Sequence, residues 1–292
     1  MQTTKEIIRQ VKKIEIVTRQ PVDGLIAGNY HSVFKGQGLE FSELREYVPG
    51  DDIRVIDWKV TARFNHPFVR EFIEERDLRA YILFDASGST SFGNTVAKRR
   101  KAVELAATLM FSAIRNNDNI GLFIFTDTVE RFVPARKGRR HALKLLSILL
   151  SHEPQSMKTD LATSLSTIAK LLKKRSILFI VSDFIGDNCA QQLSLLKNRH
   201  DVIALRVRDE REEHLPNVGL IRLEDAETGE QLLIDTSDES FRRQYAVLVK
   251  QHAQRFQKQL RKLHVDLVDI KTGEPYEAPL RRFFRLRARR VV

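Results

Sequence analysis

Asp85, Ser87 and Ser89 occupy alternate positions in "YILFDASGST", residues 81–90, directly after a run of apolar and aromatic residues. Three chemistries are open to such a set. Asp, Ser and Gly are ordinary turn residues, so the stretch can simply end a buried strand. An acid at a strand end can also act as a phosphoryl-transfer nucleophile, which needs a second acid two positions later to protonate the leaving group. Here that position is Ser87, so the proton donor is missing. Thirdly, an acid with hydroxyls two and four positions on is half of a hard-oxygen metal site, because alternate residues of a tight turn aim their oxygens at one point.

The elements that must position these groups follow from the hydrophobic pattern. A strand over 79–85 places Asp85 at its carboxyl end, and a second, over 176–182, delivers Asp183 in the same way. Between them "KTD" sets Thr159 ahead of a helix over 160–173, with Asp160 at its start. In open α/β sheets ligands gather at the carboxyl ends of the strands, where loop backbone and helix N-termini converge. Asp85, Ser87, Ser89, Thr159 and Asp183 would then form an all-oxygen set with two negative charges. Such a set suits Mg²⁺ or Mn²⁺ rather than zinc. It brings a divalent ion near charge balance and leaves a coordination position open.

The rest of the chain has two textures. Residues 3–19 show helical spacing of Ile7, Ile8, Val11, Ile14 and Val17, with Pro21 and Gly24 expected to close the helix. From Gly28 to Asp77 short alternating stretches are broken by Gly, Pro and Asp pairs, a β-rich texture. An N-terminal portion over 1–78 is expected from this change of period. Beyond it strands (79–85, 120–126, 129–133, 176–182, 201–207) alternate with helices (95–116, 139–151, 160–173, 188–199), which predicts a mostly parallel, doubly wound sheet. A hairpin over 219–236, a polar helix over 238–263 and a strand over 264–270 complete a domain over 79–275, and a basic tail occupies 276–292.

Composition narrows the functional classes. The 292 residues are 42% apolar, enough for a full core, and the single Cys189 excludes an internal disulfide framework. With no signal-peptide pattern and no apolar run of membrane-spanning length, a cytoplasmic protein is expected. The net charge of +11 is concentrated in runs such as 97–102 and 135–140, and acidic partners would suit it. Lys98, Arg99, Arg100 and Lys101 fall early in a helix, where the dipole disfavours cations. They read either as a positive rim beside the metal loop or as solvated side chains.

The tail 281–290 mixes six arginines with Phe283 and Phe284. The favoured reading is docking of the aromatics with an exposed arginine end. Peripheral contact with anionic membrane is a further option, and nucleic-acid binding a minor one. Trp58 reads as a core anchor, and Asp51, Asp52 and Asp57 as turn and pairing residues served by Arg54, Lys59 and Arg63. "HEPQS" (152–156) fails as a zinc-protease helix because of Pro154 and Ser156, and Gly36 with Gly38 has Phe41 where a third glycine is needed. No phosphate-binding loop is present, so ATP chemistry would belong to a partner.

The five residues, in this order, resemble the metal-ion-dependent adhesion site of von Willebrand factor A-like domains. In those domains a carboxylate from a partner protein completes the ion's shell. The stretch "GLEFSELREYVPGDDIRVIDWKVTARFNHPFVREFIEERD" ahead of the metal loop resembles the signature of the bacterial family called domain of unknown function fifty-eight. That resemblance implies a β-rich N-terminal portion before a von Willebrand A-like, Rossmann-like domain. It also implies partnership with a MoxR-type AAA+ ATPase in assembly or maturation of other proteins. The absence of a Gly before Thr159 departs from the pattern. The expectation is a non-catalytic, metal-dependent protein-interaction module. The alternatives are a metal-dependent phosphohydrolase using Asp85 and a polyanion or anionic-membrane binder acting through the basic surface.

Overall fold

The computed structural model describes residues 4–27, 39–64, 66–74, 79–88, 95–185, 189–224 and 229–291. The chain falls into two compact units, Phe34–Leu78 and the remainder, Met1–Val33 with Arg79–Val292.

The larger unit is built on a six-stranded sheet of order β10-β7-β6-β3-β4-β5. Its strands are β3 (Arg79–Asp85), β4 (Asn119–Phe125), β5 (Val129–Arg136), β6 (Ile177–Ser182), β7 (Asp201–Arg208) and β10 (Asp266–Lys271). All pair in parallel except β5, which runs antiparallel along β4 at one edge. The four central strands are apolar almost without interruption, as strands covered on both faces must be. The result is a mixed α/β, Rossmann-like architecture.

Strand side chains alternate between faces, so β3 feeds two cores. Tyr81 and Leu83 join a cluster with Leu161, Leu165 and Ile168 of α5 (Leu161–Leu171), Leu193 and Leu196 of α6 (Ala190–Arg199), and Phe256 and Leu260 of α8 (Glu239–Lys262). Ile82 and Phe84, equally buried, belong to the other face. There α3 (Thr95–Arg115) packs on β3, β4, β6 and β7, and α4 (Arg139–Ser151) packs on β4. Leu105, Leu109 and Ala113 of α3 recur every fourth residue and are buried, each leucine contributing about 1.5–3 kcal/mol. Where β3 and β4 meet, Gly121 admits no side chain. A Cβ there would stand 2.4 Å from the Tyr81 ring and 2.8 Å from the Val133 carbonyl.

Several elements differ from the expectation. Helix α1 runs over Thr4–Ala27, through Pro21 and Gly24, and packs against α3, α4 and α9 (Glu277–Val291) of the larger unit. Neither breaker ends the helix. The segment read as a basic tail is the helix α9, with Leu280 and Phe284 fully buried and Arg287 bonded to Asp201 and Asp266. Between β7 and β10 the short α7 (Glu210–Glu213) is an addition, whereas the hairpin over 219–236 is present as expected, formed by β8 (Leu220–Glu224) and β9 (Gln231–Asp235).

The smaller unit pairs β1 (Leu39–Glu46) with β2 (Phe68–Glu74) in antiparallel fashion and adds the helix α2 (Trp58–Phe64). Asp57 caps α2 by accepting the Lys59 and Val60 amides, which makes a helix of a stretch that reads as strand texture. Asp51 accepts both guanidinium nitrogens of Arg45, at 2.7 and 2.8 Å, rather than bonding the basic residues that follow it. That hydrogen bonding to Arg45 holds its carboxyl down at about 2. Trp58 is 67% exposed, so it is not a core anchor.

Candidate functional site

The site lies where β3 and β6 end side by side, at the point where the chain order reverses across the sheet. From β3 it runs outward to β4 and β5 on one side, and β6, β7 and β10 follow on the other. Such a switch point opens a crevice at the strand ends.

Asp85 is 1% exposed, and both its oxygens are engaged. Oδ1 accepts the Ser87 amide at 3.0 Å and the Ser87 hydroxyl at 2.6 Å, while Oδ2 accepts the Ser182 hydroxyl at 2.7 Å. All three donors are neutral. Burial, together with the nearby charge of Asp183, raises the Asp85 carboxyl from 3.8 to about 6, against the opposing effect of these hydrogen bonds.

Asp183 follows β6 and is also buried. Its Oδ1 accepts the Ile185 amide at 3.2 Å, and its Oδ2 receives the Lys98 ammonium at 2.8 Å. The turn that aims it is unusual. Phe184 has a φ of 54°, a left-handed conformation that is costly for a bulky side chain. The Ser182 hydroxyl holds it by accepting the Phe184 amide at 3.0 Å, and the Phe184 ring packs 5.0 Å from that of Phe256.

The second loop is tied to the first by the Gly88 amide, which donates to the Met157 carbonyl at 2.9 Å. Glu130 shapes this loop by accepting the Thr126 hydroxyl at 2.6 Å and the Gln155 amide at 3.0 Å, with His152 Nε2 2.6 Å from its other oxygen. Thr159 is half-buried two residues beyond Met157, and Asp160 caps α5 by accepting the Thr163 amide. The structure thus joins Asp85 to Ser87 directly and sets Asp183 beside Asp85. It places Thr159 on the adjoining loop. Ser89 lies outside the described residues.

Three participants are not evident from the spacing of the acids and hydroxyls. Ser182 is adjacent in sequence to Asp183 and completes the hydrogen bonding of Asp85. Lys98 and Glu212 form a buried bridge of 2.6 Å, continuous with Asp183. Lys98 is therefore not part of an exposed positive rim. Arg99 donates to the His152 carbonyl, Arg100 pairs with Glu104, and Lys101 donates to the Glu274 carbonyl, so this run is largely spent on internal contacts. The signal for Lys98 was its place in the first turn of a helix, where a cation needs a specific anion.

Among the described residues no group of three or more His, Cys, Asp or Glu side chains is placed to hold a metal ion. The residues that could hold one are the hydroxyl-rich set, with two carboxylates. Over residues 43–255 the sequence matches the family described as Protein of unknown function DUF58. The chain belongs to that family. An uncharacterized protein of Mycobacterium tuberculosis (strain ATCC 25618 / H37Rv) is 32% identical over 284 residues, covering 96% of this chain and 89% of that protein. The uncharacterized protein YeaD of Bacillus subtilis is 27% identical over 105 residues, or 36% of this chain and 24% of its own. Among solved structures, the conserved hypothetical protein BatB from Bacteroides thetaiotaomicron superposes with a TM-score of 0.47 at 13% identity, covering 73% of this chain and 98% of that one. Among the described residues of this DUF58 chain, no helix is long and apolar enough to cross a membrane.

Proposed function

We propose that this DUF58 chain is a non-catalytic protein-interaction module of the von Willebrand factor A-like kind. Its binding face is the crevice at the ends of β3 and β6, where a divalent ion and an Asp or Glu of a protein partner complete the site. The observation that carries this reading is Asp85, a buried carboxylate served by neutral donors alone and standing beside a second acid. Two like charges in a low-dielectric crevice are stabilised by a cation.

The donor set fits a hard ion such as Mg²⁺ or Mn²⁺: carboxylate oxygens of Asp85 and Asp183 with the hydroxyls of Ser87, Ser89 and Thr159. The ion would supply positive charge at the crevice mouth, to which a partner carboxylate binds. The chain's own part is positional. Ser182 and the Ser87 amide fix the Asp85 carboxylate, and the Phe184 turn fixes Asp183.

The residue types disfavour nucleophilic work. Ser87 stands two residues beyond Asp85, where an acid is needed to protonate a leaving group. The partner class implied by the family resemblance is a MoxR-type AAA+ ATPase, which would supply the ATP chemistry.

The test is co-purification from the protein's own host with Mg²⁺ or with EDTA. Capture of a partner that is lost both with EDTA and in Asp85→Ala supports the reading. Capture indifferent to both contradicts it, as does aryl-phosphate hydrolysis that depends on Asp85.

A further inference from the structure

Lys98 is the feature of the site that a simple ion-binding role leaves unused. Its side chain is 1% exposed and ends between two carboxylates, 2.8 Å from Asp183 Oδ2 and 2.6 Å from Glu212 Oε1. Removing an ammonium from water costs several kcal/mol unless anions compensate it. Here they do. Asp183 and Glu212 both stand within salt-bridge distance of the ammonium.

The two anions belong to different elements. Asp183 follows β6 and faces Asp85. Glu212 sits on α7 after β7, where its second oxygen accepts the Asp209 amide at 3.1 Å and its carbonyl accepts the Tyr245 hydroxyl of α8 at 3.0 Å. Both seats are anchored without Lys98, so each can receive the ammonium. A divalent ion approaching Asp183 meets this resident cation, and like charges repel strongly in a buried site.

We infer that Lys98 is an internal competitor cation: it neutralises Asp183 when no ion is bound and draws back to Glu212 when one arrives, so that Lys98 and Glu212 together set the site's ion affinity. This rests on the reading of Asp85 and Asp183 as ion ligands and deepens it. It also links ion occupancy to α7 and α8, since the Glu212 carbonyl accepts the Tyr245 hydroxyl.

The two residues act with opposite sign, which makes the inference testable by Mn²⁺ titration calorimetry on the full chain. In Lys98→Met the competitor is gone, and affinity rises by about fivefold or more. In Glu212→Gln the ammonium loses its alternative anion and holds Asp183 harder, so affinity falls by a similar factor. Unchanged affinity in both variants, with binding still abolished in Asp85→Ala, overturns the competitor while the ion site stands. Absence of binding in the wild type and in Lys98→Met overturns both. Binding by Lys98→Met alone upholds the competitor and removes the ion from the native protein's function. If Lys98→Met does not fold, as judged by circular dichroism, Glu212→Gln decides, and unchanged affinity there overturns the inference.

Discussion

In ion-free buffer, Asp85→Asn stabilises the protein at neutral pH and not in acid. Asp85 titrates at 3.8 in its ordinary state and at about 6 in the folded protein, because burial and Asp183 penalise its charge. Between these two values the unfolded carboxyl has released its proton while the native one retains it. Stability therefore falls as pH rises from about 4 to about 6, then levels off. At about 1.36 kcal/mol per pKa unit the loss is ~3 kcal/mol. Asparagine carries no charge and escapes it. It keeps an acceptor for the Ser87 amide but turns the other oxygen into a donor, so the Ser182 hydroxyl must reorient, at about 1 kcal/mol. The variant should be about 2 kcal/mol more stable than the wild type above pH ~6 and about 1 kcal/mol less stable below pH ~3. Urea unfolding in EDTA across this range measures both. A difference between the two proteins that does not change with pH would refute the reasoning, as would a less stable Asn variant at neutral pH.

Ser182→Ala removes one of the three donors to Asp85 and should cost about 1–3 kcal/mol in the same neutral-pH assay. Gly121→Ala forces a methyl against Tyr81 and Val133 and should cost about 1–3 kcal/mol, seen as a lowered melting temperature. Arg287→Met leaves Asp201 and Asp266 without the guanidinium that docks α9. Burial opposes the charge of Asp201, but Arg287 and Lys197 outweigh it and hold its carboxyl below the usual range. That stability is present above about 3.8 and disappears as pH falls through the lowered native value. Denaturation should therefore show a loss of about 1.5–3 kcal/mol at neutral pH, shrinking in strong acid.

The strands and helices of the larger unit were legible because they follow simple periods. "RAYILFD" is a continuous apolar run ending in an acid, and it is β3. "RRHALKLLSILLS" repeats leucines at helical spacing, and it is α4. The acids at the ends of β3 and β6 were legible for the same reason, since a strand end fixes where its next residue stands.

What the pattern did not show depends on tertiary partners. Pro21 and Gly24 are breakers by local propensity, yet α1 runs through both, and the helix as a whole packs on α3, α4 and α9. Lys98 belongs by local pattern to a basic run, and only Asp183 and Glu212, 85 and 114 residues away, make it an interior charge. Ser182 carried no motif of its own. Its role follows from the parallel pairing of β3 with β6, which brings it opposite Asp85.

Equilibrium Mn²⁺ binding to the intact chain, read from the paramagnetic resonance of the free ion, decides whether Asp85 and its neighbours hold a divalent ion. The wild type should bind a single ion at up to about millimolar Mn²⁺, and Asp85→Ala none. No binding by the wild type, or equal binding by the Asp85→Ala variant, would contradict an ion held there.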